Sequence, residues 1–165
     1  MRDGGRLLLC PEEDTSLQPF FPHWQNVNVR ARANTLWQGD WASSFSWIDR
    51  SGLFAGLPGG PLLDMTMEKV IPRHVIAGCN LLDFHARVHA GLVVGWIHKA
   101  AALIVERAYG RGRIVASTFR VFDAAAEHDP AATVLTHALV DLTMTPSAAA
   151  GAETEAADFD IKAAE

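Results

Sequence analysis

Residues 89–119 read HAGLVVGWIHKAAALIVERAYGRGRIVASTF, and this stretch decides the predicted fold. Three strand-like apolar runs follow one another in it, at 92–97, 101–107 and 113–119. The second and third runs are separated by AYGRGR, where glycine supplies the positive φ that a tight turn between two strands needs. The stretch therefore predicts a late β-hairpin.

The turn itself, GRGR at residues 110–113, also resembles a basic phosphate-binding loop. It matches neither the P-loop pattern nor the dinucleotide-binding pattern, and strand-forming residues follow it. An anion held at a helix N-terminus needs a helix there. We therefore interpret the four residues as a hairpin turn, with Gly110 and Gly112 present for backbone geometry and Arg111 and Arg113 in solvent.

The segment after the hairpin, DPAATVLTHALVDLTMT at 129–145, predicts a helix. Asp129 is a suitable N-cap and Pro130 suits the first helical position. Apolar residues then recur at helical spacing, which predicts a face buried against the core. These residues are Val134, Leu135, Ala138, Leu139 and Leu142.

Two further segments complete the expected organisation. Around Pro72, apolar residues on both sides predict an edge strand or two short strands, because proline has no backbone donor. Residues 11–60 carry most of the tryptophans and several Pro and Gly breaks, and predict loops with short elements. At the start, MRDGGRLLLC is typical of a helix end that passes into a buried strand, so we expect the natural protein to continue upstream.

Composition narrows the function classes. The chain has 165 residues, of which 49% are hydrophobic, and a formal net charge of -5. Nucleic acid is an unfavourable partner, because binding its backbone needs clustered Lys and Arg. No apolar run reaches the roughly 18–20 residues that cross a bilayer, and LLLC is shorter than a signal-peptide core. We expect a soluble chain with no membrane partner and no visible signal peptide, of unknown localisation.

The residue types offer three candidate catalytic or metal sites. His85 and His89 would share a face on a helix, but on a strand they would lie about 13 Å apart, too far to share a zinc ion. Cys10 and Cys79 lack the two flanking glycines of a nucleophile elbow, and free buried thiols are expected. The carboxylates of PEED at 11–14 fit a solvated loop. The sequence thus predicts no catalytic residue, metal or cofactor.

Aromatic residues offer the strongest binding signal. Trp37, Trp41 and Trp47 lie in one segment with Asn, Gln, Asp and Arg nearby, a combination typical of a surface on which sugars stack. The same combination would also let a large loop pack against its own core, against another domain or against another subunit. Both interpretations stay open, with packing or an interface favoured over sugar contact.

The order of four motifs resembles a known domain. DGGRLLL at 3–9, LFAGLPGGPLLD at 53–64, YGRGRIVASTFRV at 109–121 and DPAATVLTHALVDL at 129–142 are similar to the glutamine-amidotransferase-like, flavodoxin-like C-terminal accessory domain of bacterial glycoside hydrolases. The resemblance is to hydrolases of family two and the β-galactosidases, and covers roughly residues 3–143. This sequence lacks the nucleophile elbow of the amidotransferase family, so the resemblance assigns no catalytic residue to it.

The resemblance implies a fold and a role. The expected fold is α/β, a flavodoxin-like three-layer sheet that is incomplete at its N-terminus and ends in a β-hairpin and a helix. Residues 1–145 would form this accessory domain, and 146–165 an acidic, alanine-rich disordered tail. Its role would be non-catalytic, in packing against the catalytic domain of a parent hydrolase or against a copy of itself. The alternatives are a carbohydrate-binding module and a Cys-dependent amidase or hydrolase.

Overall fold

The computed structural model describes residues 4–38, 44–79, 88–97, 99–109, 111–123 and 126–145. In these ranges the chain forms eight β-strands, one α-helix and three short 3₁₀ turns at Gly52–Phe54, Met65–Val70 and Gly95–Ile97. The strands are β1 Arg6–Leu9, β2 Thr15–Ser16, β3 Asn28–Ala31, β4 Ser44–Ile48, β5 His74–Ala77, β6 Val88–Val94, β7 Lys99–Tyr109 and β8 Gly112–Ser117, and the helix is α1 Pro130–Met144.

Strand β7 organises the sheet. It pairs antiparallel with β6 along one edge, and β6 in turn pairs antiparallel with β4. Along its other edge it pairs antiparallel with both β8 and β5, from which the sheet continues to β1 on one side and to β3 and β2 on the other. Among the described strands, β1 and β8 form the only parallel pair. The result is a mixed sheet that branches at its longest strand.

Alternation along the strands divides the apolar residues between two faces. The first core lies under α1, whose Leu135 and Leu139 pack with Leu103 and Val115. The second core lies on the opposite face and is covered by the segment between β2 and β3, which buries Phe21 and Trp24. Because neighbouring residues of a strand point to opposite faces, one sheet supplies both cores.

The expectation of a flavodoxin-like, amidotransferase-like three-layer α/β sheet is wrong. Such a sheet is built mainly from parallel strands joined by crossover helices. Here β6, β7 and β8 follow one another through short turns, and such turns can join only antiparallel neighbours. In the described ranges a single helix covers one face, while loops and short turns supply the remaining cover.

Several local expectations are confirmed. The hairpin forms between β7 and β8, with Tyr109 opposite Gly112. Helix α1 begins where the sequence predicted, and the Asp129 side chain accepts hydrogen bonds from the backbone of Ala131 and Ala132. Four of the five predicted apolar positions of its inner face are buried, and Val134 is half-buried. The segment 146–165 lies outside the described residues.

The expectation around Pro72 needs correction. Only the residues after the proline form a strand, β5, whereas Val70 ends a 3₁₀ turn in which the Thr66 amide donates to the N-cap Asp64. Strand β5 is not an edge strand, because it lies between β7 and β3. Pro72 is compatible with this arrangement because it precedes the ladder and so costs no hydrogen bond within it.

Strand β1 lies at one end of the sheet. Its ladder to β8 includes the hydrogen bond that the Arg113 amide donates to the Gly5 carbonyl, at 3.1 Å. In the described part of the chain no strand pairs with its other edge. Within the same ranges, no helix is both long and apolar enough to cross a membrane.

Candidate functional site

A groove opens where two strands meet end to end. Strands β8 and β5 run in the same direction along one edge of β7, with Ser117 opposite Ile104 and Ile76 opposite Ala102. Only Leu103 lies between these two positions of β7, so β8 must end where β5 begins. The carboxyl end of β8 therefore faces the amino end of β5 across a gap in the sheet.

The first depression of the groove lies at this gap. It is bounded by the end of β8, the start of β5 and the residues that follow β1. Because β1 is parallel to β8, the two strands end at the same border of the sheet. The side chains of this depression include Glu12, Arg73, His74, Thr118, Arg120 and Asp123.

Arg120 holds the wall of the first depression in place. Its guanidinium donates to the carbonyls of Ile71 at 3.0 Å and Lys69 at 2.8 Å, and it pairs with Asp123 at 3.3 Å. Arg73, by contrast, is 71% exposed and lies 3.8 Å from the same carboxylate. The N–H donors of Arg120 are therefore used within the fold, whereas Arg73 has N–H donors that are accessible from the groove.

Asp14 joins the first depression to a second one. One of its oxygens accepts a 2.7 Å hydrogen bond from the Ala31 amide and lies 4.0 Å from Nε2 of His74. The other oxygen lies 3.7 Å from the Arg30 guanidinium. Ala31 and His74 are also paired across β3 and β5, so the sheet fixes the position of this carboxylate.

The second depression contains Trp37. It is an open depression lined by Asp14, Arg30, Thr35, Leu36 and Trp37, among others. Trp37 is half-buried against the first core, with the Lys99 ammonium 5.8 Å from its ring centroid. Its indole thus supplies partly accessible apolar surface beside a fixed carboxylate.

The three predicted tryptophan positions do not form one surface in the described residues. Trp47 packs against the second core, on the face opposite that of Trp37. It lies in β4 on the same face as the exposed Phe45 and makes an isolated bridge with Leu62. Trp41 lies outside the described residues. Of the two described positions, Trp37 belongs to the groove and Trp47 does not.

A buried ionic cluster lies beneath the end of α1. The Arg113 guanidinium donates to the Glu106 carboxylate at 2.6 Å and to the Leu142 carbonyl at 3.1 Å. Nε2 of His89 lies 3.5 Å from the same carboxylate. The expectation that Arg113 is solvated is wrong, because its residue is only 6% exposed, whereas Arg111 is exposed as expected.

The sequence contained a signal for this cluster. Arg113 is two residues before Val115, and alternation places both on the face that α1 covers. A cation on that face is favoured by the negative end of the helix and its last carbonyls. Glu106 lies in the neighbouring strand on the same face, so its pairing with Arg113 follows from the register of β7 and β8.

Both thiols are buried enough to resist ionisation. Burial, with a smaller contribution from the Glu12 charge, raises the pKa of Cys10 to about 11. Burial raises the pKa of Cys79 to about 12. Thiolate chemistry at neutral pH needs a lowered pKa, so these environments disfavour the Cys-dependent alternative.

The histidines were also considered as metal ligands. His85 and His98 lie outside the described residues, while His74 lies in the groove and His89 in the ionic cluster. In the part of the chain that the structure describes, no three His, Cys, Asp or Glu side chains lie close enough to hold a metal ion.

Comparison of the chain with protein families, with curated proteins and with solved structures found no match.

Proposed function

We propose that the chain is a non-catalytic accessory domain of a carbohydrate-active glycoside hydrolase. It would pack against the catalytic domain of that enzyme, or against a copy of itself, through the edge of β1 with which no described strand pairs. The link to a hydrolase rests on the four sequence motifs alone, because the mixed sheet differs from the flavodoxin-like sheet of such accessory domains. The packing role is supported by one structural observation, the composition and pairing of β1.

The backbone of β1 has hydrogen-bonding groups on its outer side. Arg113 pairs with Arg6 in the parallel ladder and donates to the Gly5 carbonyl. In this pattern the amides and carbonyls of Leu7 and Leu9 point to β8, and those of Arg6 and Leu8 point away from it. An edge of this kind is a template for one more strand.

The side chains of β1 support the same conclusion. Leu7 and Leu9 pack against the second core and Leu8 against the first, and all three are half-buried. A continuous apolar run is typical of a strand that is covered on both faces inside a sheet. Addition of a partner strand would satisfy the backbone groups and cover the leucines further.

The packing role is tested by Leu8→Pro. Proline would remove an amide that points outward and leave the ladder to β8 intact, whereas Leu7→Pro would remove an amide of that ladder. We expect sedimentation velocity to find self-association of the chain at micromolar concentration, or a complex with the separately expressed upstream domain. Leu8→Pro should abolish either association with an unchanged circular dichroism spectrum, while Leu7→Pro should unfold the chain.

The link to a hydrolase is tested separately in the genome. An open reading frame that continues upstream of Met1 and encodes a barrel domain would support it. A stop codon directly upstream, together with a monomeric chain at all concentrations, would contradict the proposal as a whole. Association that Leu8→Pro leaves unchanged would contradict the role of β1.

A further inference from the structure

We propose that the groove joined at Asp14 and His74 binds a neutral, polyhydroxylated ligand, that is, a carbohydrate. The two depressions are hereafter called the Asp14 groove. The inference does not depend on the packing role of β1, because it rests on the side chains around the gap between β8 and β5. Four properties of the groove support carbohydrate binding: its charge balance, its hydrogen-bonding capacity, its apolar surface and the rigidity of its polar groups.

Charge balance excludes strongly charged ligands. The Asp14 groove contains three carboxylates and three guanidinium groups, and each guanidinium lies within 4 Å of one of the carboxylates. An anion placed near Arg73 would also approach Asp123, 3.8 Å away, and a cation placed near Asp14 would also approach Arg30, 3.7 Å away. Since like charges a few ångströms apart repel, a ligand without net charge fits this surface best. The groups are Glu12, Asp14, Asp123, Arg30, Arg73 and Arg120.

Hydrogen-bonding capacity favours hydroxyl groups. Ionised Glu12 and Asp14 only accept hydrogen bonds, whereas Arg30 and Arg73 only donate them. Thr118 is 4% exposed and its hydroxyl donates to the Leu103 carbonyl at 3.3 Å, so this hydroxyl stabilises the fold. A hydroxyl group both donates and accepts, so a ligand with several hydroxyls can satisfy acceptors and donors that alternate along one groove.

Apolar surface is present where a sugar ring would need it. Trp37 is half-buried in the second depression, next to Leu36, which is 53% exposed. Aromatic rings provide a large apolar surface with a polar edge. The C–H groups of a pyranose can contact such a surface while its hydroxyls reach Asp14 and Arg30.

The polar groups are held in place before a ligand arrives. Asp14 is fixed by the Ala31 amide, and Ala31 and His74 belong to paired strands. Arg120 is fixed by two backbone carbonyls. Groups that are already positioned lose less entropy on binding than mobile ones, which favours recognition by a shallow groove.

The test is isothermal titration of the full chain with lactose, cellobiose and xylobiose. Glucuronate and glucosamine serve as charged comparisons. We expect saturable binding of at least one neutral disaccharide and weaker binding of the charged sugars. Asp14→Asn retains the shape of the side chain and removes its charge, and should weaken binding about tenfold, because a neutral amide oxygen accepts weaker hydrogen bonds than a carboxylate does.

Two tryptophan variants form a matched pair. Trp37→Leu should abolish binding, whereas Trp47→Phe, on the opposite face of the sheet, should leave the affinity unchanged. Thermal unfolding of each variant establishes that it is folded. The proposal is overturned if no neutral sugar binds, if only charged sugars bind, or if Asp14→Asn and Trp37→Leu bind as tightly as the unmodified chain.

Discussion

The environment of Arg113 differs from the one that its position in the sequence predicts. Arg113 follows a glycine in a hairpin turn, yet its guanidinium is buried between Glu106 and the last turn of α1. Burying a charge is costly unless it is paired and hydrogen-bonded. The ion pair is therefore a condition for this hairpin to lie under the helix.

Replacement of Arg113 tests this conclusion. Arg113→Met should lower the free energy of unfolding by about 3 kcal/mol, because it leaves the Glu106 carboxylate without its buried partner. Urea denaturation measures the change. Arg111→Met is the matched control, because Arg111 is exposed in the same turn, and it should change stability by less than about 0.5 kcal/mol. Equal effects of the two variants would contradict the assigned cluster.

The two cysteines give a prediction about pH. Their pKa values of about 11 and about 12 lie above the ordinary value of 9.0, so the folded chain holds the thiol protons to higher pH than the unfolded chain does. The contribution of the two thiols to the free energy of unfolding is fully present below pH 9 and is lost as the pH rises towards 11–12.

Alkylation by iodoacetamide checks the thiol environments. At pH 8 we expect Cys10 and Cys79 to react about 100-fold and about 1,000-fold more slowly than in the urea-unfolded chain, since each pKa unit changes the thiolate fraction tenfold. The single variants Cys10→Ser and Cys79→Ser separate the two rates. Fast labelling of either thiol in the folded chain would instead support the Cys-dependent alternative.

At the scale of elements, α1 was the part that its sequence specified best. Its N-cap, its first-turn proline and the spacing of its apolar residues all act within one or two turns of chain. The β7–β8 hairpin was equally local. By contrast, the expected strand before Pro72 was wrong, because apolar residues alone do not distinguish a strand from a buried 3₁₀ turn.

The cap of α1 can be tested directly. Asp129→Ala removes the acceptor for the Ala131 and Ala132 amides, at 3.0 and 3.1 Å, and should lower the free energy of unfolding by about 1 kcal/mol. Asp129→Asn keeps an acceptor oxygen and serves as the control, with a much smaller loss. Chemical denaturation followed by circular dichroism measures both. An equal loss in the two variants would assign the effect to the charge, which also lies 3.7 Å from Lys69.

At the scale of the whole molecule, the sheet brings together residues that are distant in sequence. Strand β1 pairs with β8 across more than 100 residues, and Asp14 meets His74 through the pairing of β3 with β5. The sequence pattern named Trp37 as a candidate sugar or interface contact, which stays a prediction, and did not name its neighbours in the Asp14 groove. The sequence motifs also led to the wrong sheet, because a resemblance of short motifs carries no information on which strands pair.

The sequence by itself determined the local elements of this protein: the late hairpin, helix α1 with its cap, and the short elements of residues 11–60. These depend on turn chemistry and on apolar periodicity, which act between near neighbours in the chain. Only the tertiary structure decided the mixed sheet, the opposite faces of Trp37 and Trp47, the buried pairing of Arg113 and the gap that forms the Asp14 groove. Each of these depends on long-range strand pairing and register, and local sequence pattern does not specify the partner of a strand.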